Sequence, residues 1–168
     1  MDLSGIAKGY GVDAVVGLLA ARGVGDFLVE VGGELAARGT RPGGEAWRVA
    51  IEQPSPGVRR LQQLVDLRGR AIATSGGYRN FFDDAGRRYS HSIDPRDGRP
   101  VAHTLASVSV IADSATDADA ASTALMVMGP EAGPDWAREQ GIAALFLFRD
   151  GAALRERATP AFDAHRLG

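Results

Sequence analysis

Short β-like runs, broken by glycine and proline turns, constrain this chain more than any other feature. They are DFLVEVGGELAARG (26–39), EAWRVAIEQP (45–54), LQQLVDLRGRAIATSGG (61–77), RRYSHSIDPRDGRPV (87–101), TLASVSVIAD (104–113) and AALFLFRDGAALRERAT (143–159). The first reads as a strand with a glycine pair at its far end, and the second as a strand ended by Pro54. The third reads as one or two strands running into a glycine turn. The fourth is a strand followed by a Pro/Gly-rich loop, the fifth a β-rich run, and the last a hairpin around Asp150-Gly151. Helical periodicity is confined to residues 6–22, 116–128 and 131–140. In the first of these, Val12, Val15, Val16 and Leu19 share a face, and Gly23 and Gly25 end it. Strands outnumber helices and are mostly joined by turns. The expected fold is α+β, a largely antiparallel sheet with packed helices.

Composition narrows the function. With 168 residues the chain fits a single domain, 1–168, with no repeat or linker. A net charge of −2 gives no long-range field for nucleic acid or an anionic membrane. No run approaches the roughly 18–20 apolar residues of a membrane span. No signal peptide precedes Asp2, so the chain as it stands is expected to be cytoplasmic. The absence of cysteine excludes disulfides, thiol nucleophiles and cysteine-ligated zinc or iron–sulfur sites. Among the 19 lysines and arginines, Lys8 is the one lysine.

Several motifs carry chemistry. In DLSGIAKGYGVD (2–13), Asp2, Ser4 and Gly5 lie where free helix N–H groups and the positive end of the dipole collect. An anion site with Lys8 one turn further on is one reading. A plain cap from Asp2 or Ser4, with Lys8 solvated, is the other. TSGGYRNFF (74–82) offers the hydroxyls and N–H groups of a phosphate nest, then Tyr78, Phe81 and Phe82 as walls of a flat pocket; it also reads as a tight turn before core aromatics. In YSHSIDPRDGRP (89–100), His91 is a proton carrier that Asp94 is close enough to orient, on a loop stiffened by Pro95 and Pro100; an ordinary turn with a surface histidine fits equally. His103 and His165 read as surface residues. In ATDADAASTALMVMG (115–129), Asp119 and Thr123 share a helix face at i, i+4, opposite Ala121, Ala124, Leu125 and Met128. A carboxylate and a hydroxyl one turn apart suit a hard cation such as Mg²⁺. The competing reading is a capping box from Thr116 to Asp119.

In this order, DLSGIAKGYGVD, VGGE, IATSGGYRNFF, HSIDPRDGRP and DADAASTALMVMG together resemble the motifs of the ApbE family, the FAD:protein FMN transferases. The resemblance runs from Asp2 to the hairpin after Gly141. It implies Mg²⁺ held by the side chains of Asp119 and Thr123 and the backbone carbonyl of Gly5. It implies FAD, the substrate, contacted by Asp2, Gly5, Lys8, Glu34, Ser75 and the strand from His91 to Ile93. Catalysis would rest on His91, as the base at the attacking hydroxyl, and on Asp119 through the metal. FMN would pass through its phosphate to a Thr or Ser of an acceptor protein carrying a flavinylation motif, with release of AMP. A flavin-binding or FAD-hydrolysing protein, or a truncated member inactive without a partner, are the alternative functions.

Two departures from the family pattern stand out. Asp97 replaces the usual Thr, and a carboxylate there would repel a pyrophosphate unless it faces solvent or the metal. Family members also carry a long segment before the first motif, so the chain is expected to be a C-terminal catalytic portion. A sheet edge left open by that segment would be covered by a homodimer. No evident S-G-A-T acceptor tract occurs, so self-flavinylation is not expected.

Overall fold

The turn-joined runs form a large antiparallel sheet, and the two long helical segments cover one of its faces. The computed structural model describes residues 2–55, 60–77, 81–84, 87–90, 92–151 and 153–167, with 81–84 and 87–90 described by their backbone alone. In chain order the elements are α1 (Ser4–Ala21), β1 (Phe27–Val31), β2 (Glu34–Arg38), β3 (Arg48–Glu52), β4 (Leu61–Asp66), β5 (Ala71–Gly76), β6 (Phe81–Asp84) and β7 (Arg87–Ser90). There follow β8 (Ile93–Asp94), β9 (Arg99–Pro100), β10 (Leu105–Ala112), α2 (Ala115–Glu139), β11 (Ala143–Asp150), β12 (Ala153–Ala158), α3 (Pro160–Asp163) and β13 (Arg166–Leu167).

The main sheet has six strands in the order β1-β2-β5-β10-β11-β12, and every pair in it is antiparallel. Helices α1 and α2 pack against each other and on one face, α1 against β1 and β2, α2 against β5, β10 and β11. A second sheet, β13-β4-β3, covers the other face together with α3. This layering explains why β10 is buried on both faces from Leu105 to Ile111 and β11 from Ala143 to Leu147. Alternate residues point to opposite sides of a strand. Val108, Val110, Ala144 and Phe146 meet Leu125 and Met126 of α2, whereas Ile111, Ala143, Leu145 and Leu147 meet Val65, Leu67 and Phe162. Among the described residues, no helix is long and apolar enough to cross a membrane.

The structure departs from the sequence expectations in the first hairpin and in the first helix. DFLVEVGGELAARG is a hairpin, not one strand. Gly32 and Gly33 sit in its middle at φ 62° and 101° and fold β2 back on β1 with Val31 opposite Glu34. The first helix begins at Ser4, and Val15, placed on its buried face, is 38% exposed. The two helices expected in 116–140 are both present, separated by a kink at Gly129 (φ 83°, ψ −171°) just before Pro130.

The expected surface histidines are also displaced. His165 is buried, with Nδ1 2.8 Å from the Asp66 carbonyl. His103 is half-buried, with Nε2 2.8 Å from the Met126 carbonyl. In a regular helix that carbonyl accepts from the N–H four residues on, but here residue 130 is proline and has none. Because a carbonyl only accepts, Nε2 carries the proton, and His103 supplies the donor that Pro130 removes.

Candidate functional site

The N-terminus of α1, the turn between β1 and β2, the end of β5 and the second and third turns of α2 open on one cleft of about 1550 Å³. Asp2, Gly5, Lys8, Glu34, Ser75, Ile93, Asp119 and Thr123, singled out from sequence, all line it. His91 and Tyr78 lie outside the described residues, as do the side chains of Phe81 and Phe82.

Lys8 is the electrostatic centre. Its ammonium donates to Glu34 Oε1 and lies 3.8 Å from Asp119 Oδ1, and both carboxylates are 2% exposed. Glu34 stands first in β2, straight after the glycine turn; a Cβ at Gly32 would meet Lys8 Cδ at 3.0 Å. The turn thus needs glycine both for its positive φ and for room beside Lys8. Burial pushes the Glu34 carboxyl up from its ordinary value; the Lys8 ammonium opposes this and the nearby Asp119 carboxylate adds to it. Glu34 Oε2 is buried with no hydrogen-bond partner among the described residues. Two buried carboxylates thus face one ammonium.

Asp119 is not a helix cap. Ser114 caps α2: its Oγ accepts from Asp117 N–H at 3.0 Å and donates to Asp117 Oδ2 at 2.7 Å, so the capping pair lies two residues before the expected Thr116 and Asp119. Thr116 instead donates its hydroxyl to Asp13 of α1, at 2.5 Å. Asp119 is therefore free to reach across to α1, where Oδ2 accepts the Gly9 N–H at 3.0 Å. A regular helix aims that N–H at the Gly5 carbonyl. Thr123, one turn along, lies against Gly5: a Cβ there would stand 3.1 Å from its Cγ2. Its hydroxyl meets Ser75 Oγ at 3.1 Å, and Ser75 also meets Ser122 Oγ at 2.9 Å. Among the described residues, no three His, Cys, Asp or Glu side chains gather as a metal cluster. A cation here would rely on one carboxylate with neutral oxygens, a donor set that suits Mg²⁺.

The other expectations resolve as follows. Asp2 is exposed and accepts the Ser4 N–H at 2.8 Å, which lowers its carboxyl pKa; the N-cap residue itself is Leu3. Asp94 is gripped by Arg96, whose Nε lies 2.9 Å from Oδ1 and Nη2 2.5 Å from Oδ2. That pairing holds the Asp94 carboxyl down at about 2. Asp97 is exposed, accepts the Arg99 N–H at 2.9 Å and does not line the cleft.

Sequence reading missed Gly9, Asp13 and Ser122. Asp13 accepts N–H groups from both Ala115 and Thr116, at 2.9 and 2.8 Å, so it caps α2 from outside. A Cβ on Gly9 would stand 2.2 Å from the Ala115 carbonyl, so the helices touch backbone to backbone there. The signal was present: Gly5, Gly9 and Asp13 are spaced by four, one stripe of α1. Ser122 gives no comparable signal.

The ApbE family model matches residues 1–146. The FAD:protein FMN transferase of Klebsiella pneumoniae (strain 342) is 41% identical over 168 residues, 100% of this chain and 48% of that protein. That of Escherichia coli (strain K12) is 42% identical over 162 residues, 96% of this chain and 46% of that protein. Among solved structures, the apo form of Pseudomonas stutzeri flavinyl transferase ApbE has a TM-score of 0.85 at 48% identity, covering 98% of this chain and 50% of that one. The flavin transferase ApbE from Vibrio cholerae has a TM-score of 0.86 at 40% identity, covering 98% of this chain and 52% of that one. The chain spans about half the length of the curated relatives it matches. On sequence and fold together, the chain belongs to the ApbE family.

Proposed function

We propose that this chain forms the metal- and pyrophosphate-binding wall of a site that moves FMN from FAD to a Thr or Ser hydroxyl of an acceptor protein, releasing AMP. The observation that carries this reading is the meeting of Lys8 of α1 with Asp119 and Thr123 of α2 in one cleft. Relatives named FAD:protein FMN transferase support it.

The residues present fit Mg²⁺. Asp119 and Glu34 bring two buried carboxylates to one ammonium, and Glu34 Oε2 has no hydrogen-bond partner among the described residues, a setting that favours a further cation. Asp119 and Thr123 would hold the ion, with the Gly5 carbonyl, whose ordinary helix donor is engaged by Asp119. Bound there, Mg²⁺ would supply charge neutralisation at the pyrophosphate.

Lys8, its ammonium held by Glu34, offers its remaining ammonium donors to the pyrophosphate. Ser75 and the first turn of α1 line the same wall. The acceptor oxygen forms its bond to the flavin-side phosphorus as the bond to AMP breaks. His91 is the proposed base for the hydroxyl proton.

The test is to mix the chain with FAD, Mg²⁺ and an acceptor protein carrying a Thr/Ser flavinylation motif. Covalent in-gel flavin fluorescence, lost in Asp119→Ala, supports transfer. AMP release without labelling would replace transfer by FAD hydrolysis, and failure to bind FAD would remove both readings.

A further inference from the structure

Ser122 is fully buried and does not line the cleft, yet it stands beside two residues that do. Its Oγ lies 3.1 Å from the Asp119 carbonyl and 2.9 Å from Ser75 Oγ, and Ser75 Oγ lies 3.1 Å from Thr123 Oγ1. Each hydroxyl owns one proton, and a carbonyl can only accept. The Ser122 proton therefore goes to the Asp119 carbonyl, so the proton between Ser75 and Ser122 comes from Ser75. The proton between Ser75 and Thr123 must then come from Thr123. With all three bonds made at once, the order of donation runs Thr123 to Ser75 to Ser122 to the backbone of Asp119.

We propose that Ser122 is a positioning residue which, by fixing this order, turns the Thr123 proton away from the cleft and leaves the Thr123 oxygen as a pure electron-pair donor toward a divalent cation. The proposal rests on the cation reading given above. Without a fixed order a hydroxyl beside a cation site can point its proton at the ion, where it repels. Ser122 sets the order although it cannot touch the ion, in the way that outer partners commonly orient metal ligands.

Ser122→Ala frees the Ser75 proton to turn to Thr123, whose own proton is then no longer held by Ser75. The expected result is a 10–100-fold weaker affinity for Mn²⁺, used in place of Mg²⁺ and followed by electron paramagnetic resonance without any flavin. Ser75→Ala should cost a similar factor, and the double variant no more than Ser75→Ala, because Ser122 acts only through Ser75. Ser122→Thr, which keeps the hydroxyl, should restore binding, and thermal melting of each variant separates misfolding from this effect. Neutron diffraction on the metal-free protein reads the order directly. Deuterons found on Thr123 toward Ser75, and on Ser75 toward Ser122, support the proposal; the reverse order overturns it. Unchanged Mn²⁺ affinity in a folded Ser122→Ala, or additive losses in the double variant, would overturn it too. A wild-type chain with the expected deuteron order but no Mn²⁺ binding would instead overturn the cation reading and the positioning role built on it.

Discussion

The Gly9 backbone N–H donates to the Asp119 carboxylate across 3.0 Å, joining two helices 110 residues apart in sequence. This contact turns a helix crossing into a site. It exists because Gly9 has no side chain: the Ala115 carbonyl already occupies the space where its Cβ would project.

Gly9→Ala therefore cannot be absorbed by a rotamer change and must push α1 from α2. A loss of about 1–3 kcal/mol is expected, as for overpacking elsewhere. Urea unfolding measures it. A variant as stable as wild type would show that the crossing is looser than described.

Asp13 closes the start of α2 with three hydrogen bonds, two from N–H groups and one from the Thr116 hydroxyl. Asp13→Ala should cost about 1–2 kcal/mol, the upper part of the range for a lost cap. Ser114→Ala removes the internal cap alone and is expected to cost no more. The comparison of the two by thermal melting fails if Ser114→Ala is much the more damaging.

Much of this was legible in sequence. The turn residues announced an antiparallel sheet, and the i, i+4 pair Asp119 and Thr123 does share the face that lines the cleft. What stayed hidden were relations between distant elements. The Gly32-Gly33 pair reads as a strand end until its positive φ angles show a hairpin turn. Thr116 and Asp119 match a capping box locally, but tertiary partners on α1 claim both side chains. His103 looks solvated until Pro130 leaves a carbonyl for it to serve. Local pattern names residue types and faces; only packing decides which partner wins.

His103→Phe keeps much of the side-chain volume and removes the donor, leaving the Met126 carbonyl unpaired beside the Gly129 kink. A loss of about 1–3 kcal/mol is expected for an orphaned buried acceptor. Urea unfolding at neutral pH checks it, and a loss below a few tenths would mean that water serves the carbonyl instead.

Asp94 should titrate at about 2, below its ordinary 3.8, because ionisation keeps the Arg96 bonds. A depressed carboxylate contributes stability that is fully present above pH 3.8 and is lost as pH falls through about 2. The pair is exposed, so the site-specific NMR titration, not the melting curve, is the measurement to make. Arg96→Gln should return the midpoint toward 3.8; an unmoved midpoint would assign the shift to another group.

FAD binding with and without Mg²⁺ tests the central claim most directly, followed by quenching of flavin fluorescence in wild type and in Asp119→Asn. The account predicts binding that Mg²⁺ strengthens at least tenfold in wild type and leaves unchanged in Asp119→Asn, a coupling of about 1.4 kcal/mol or more. FAD affinity indifferent to Mg²⁺, or an Asp119→Asn variant that still responds to the ion, would contradict it.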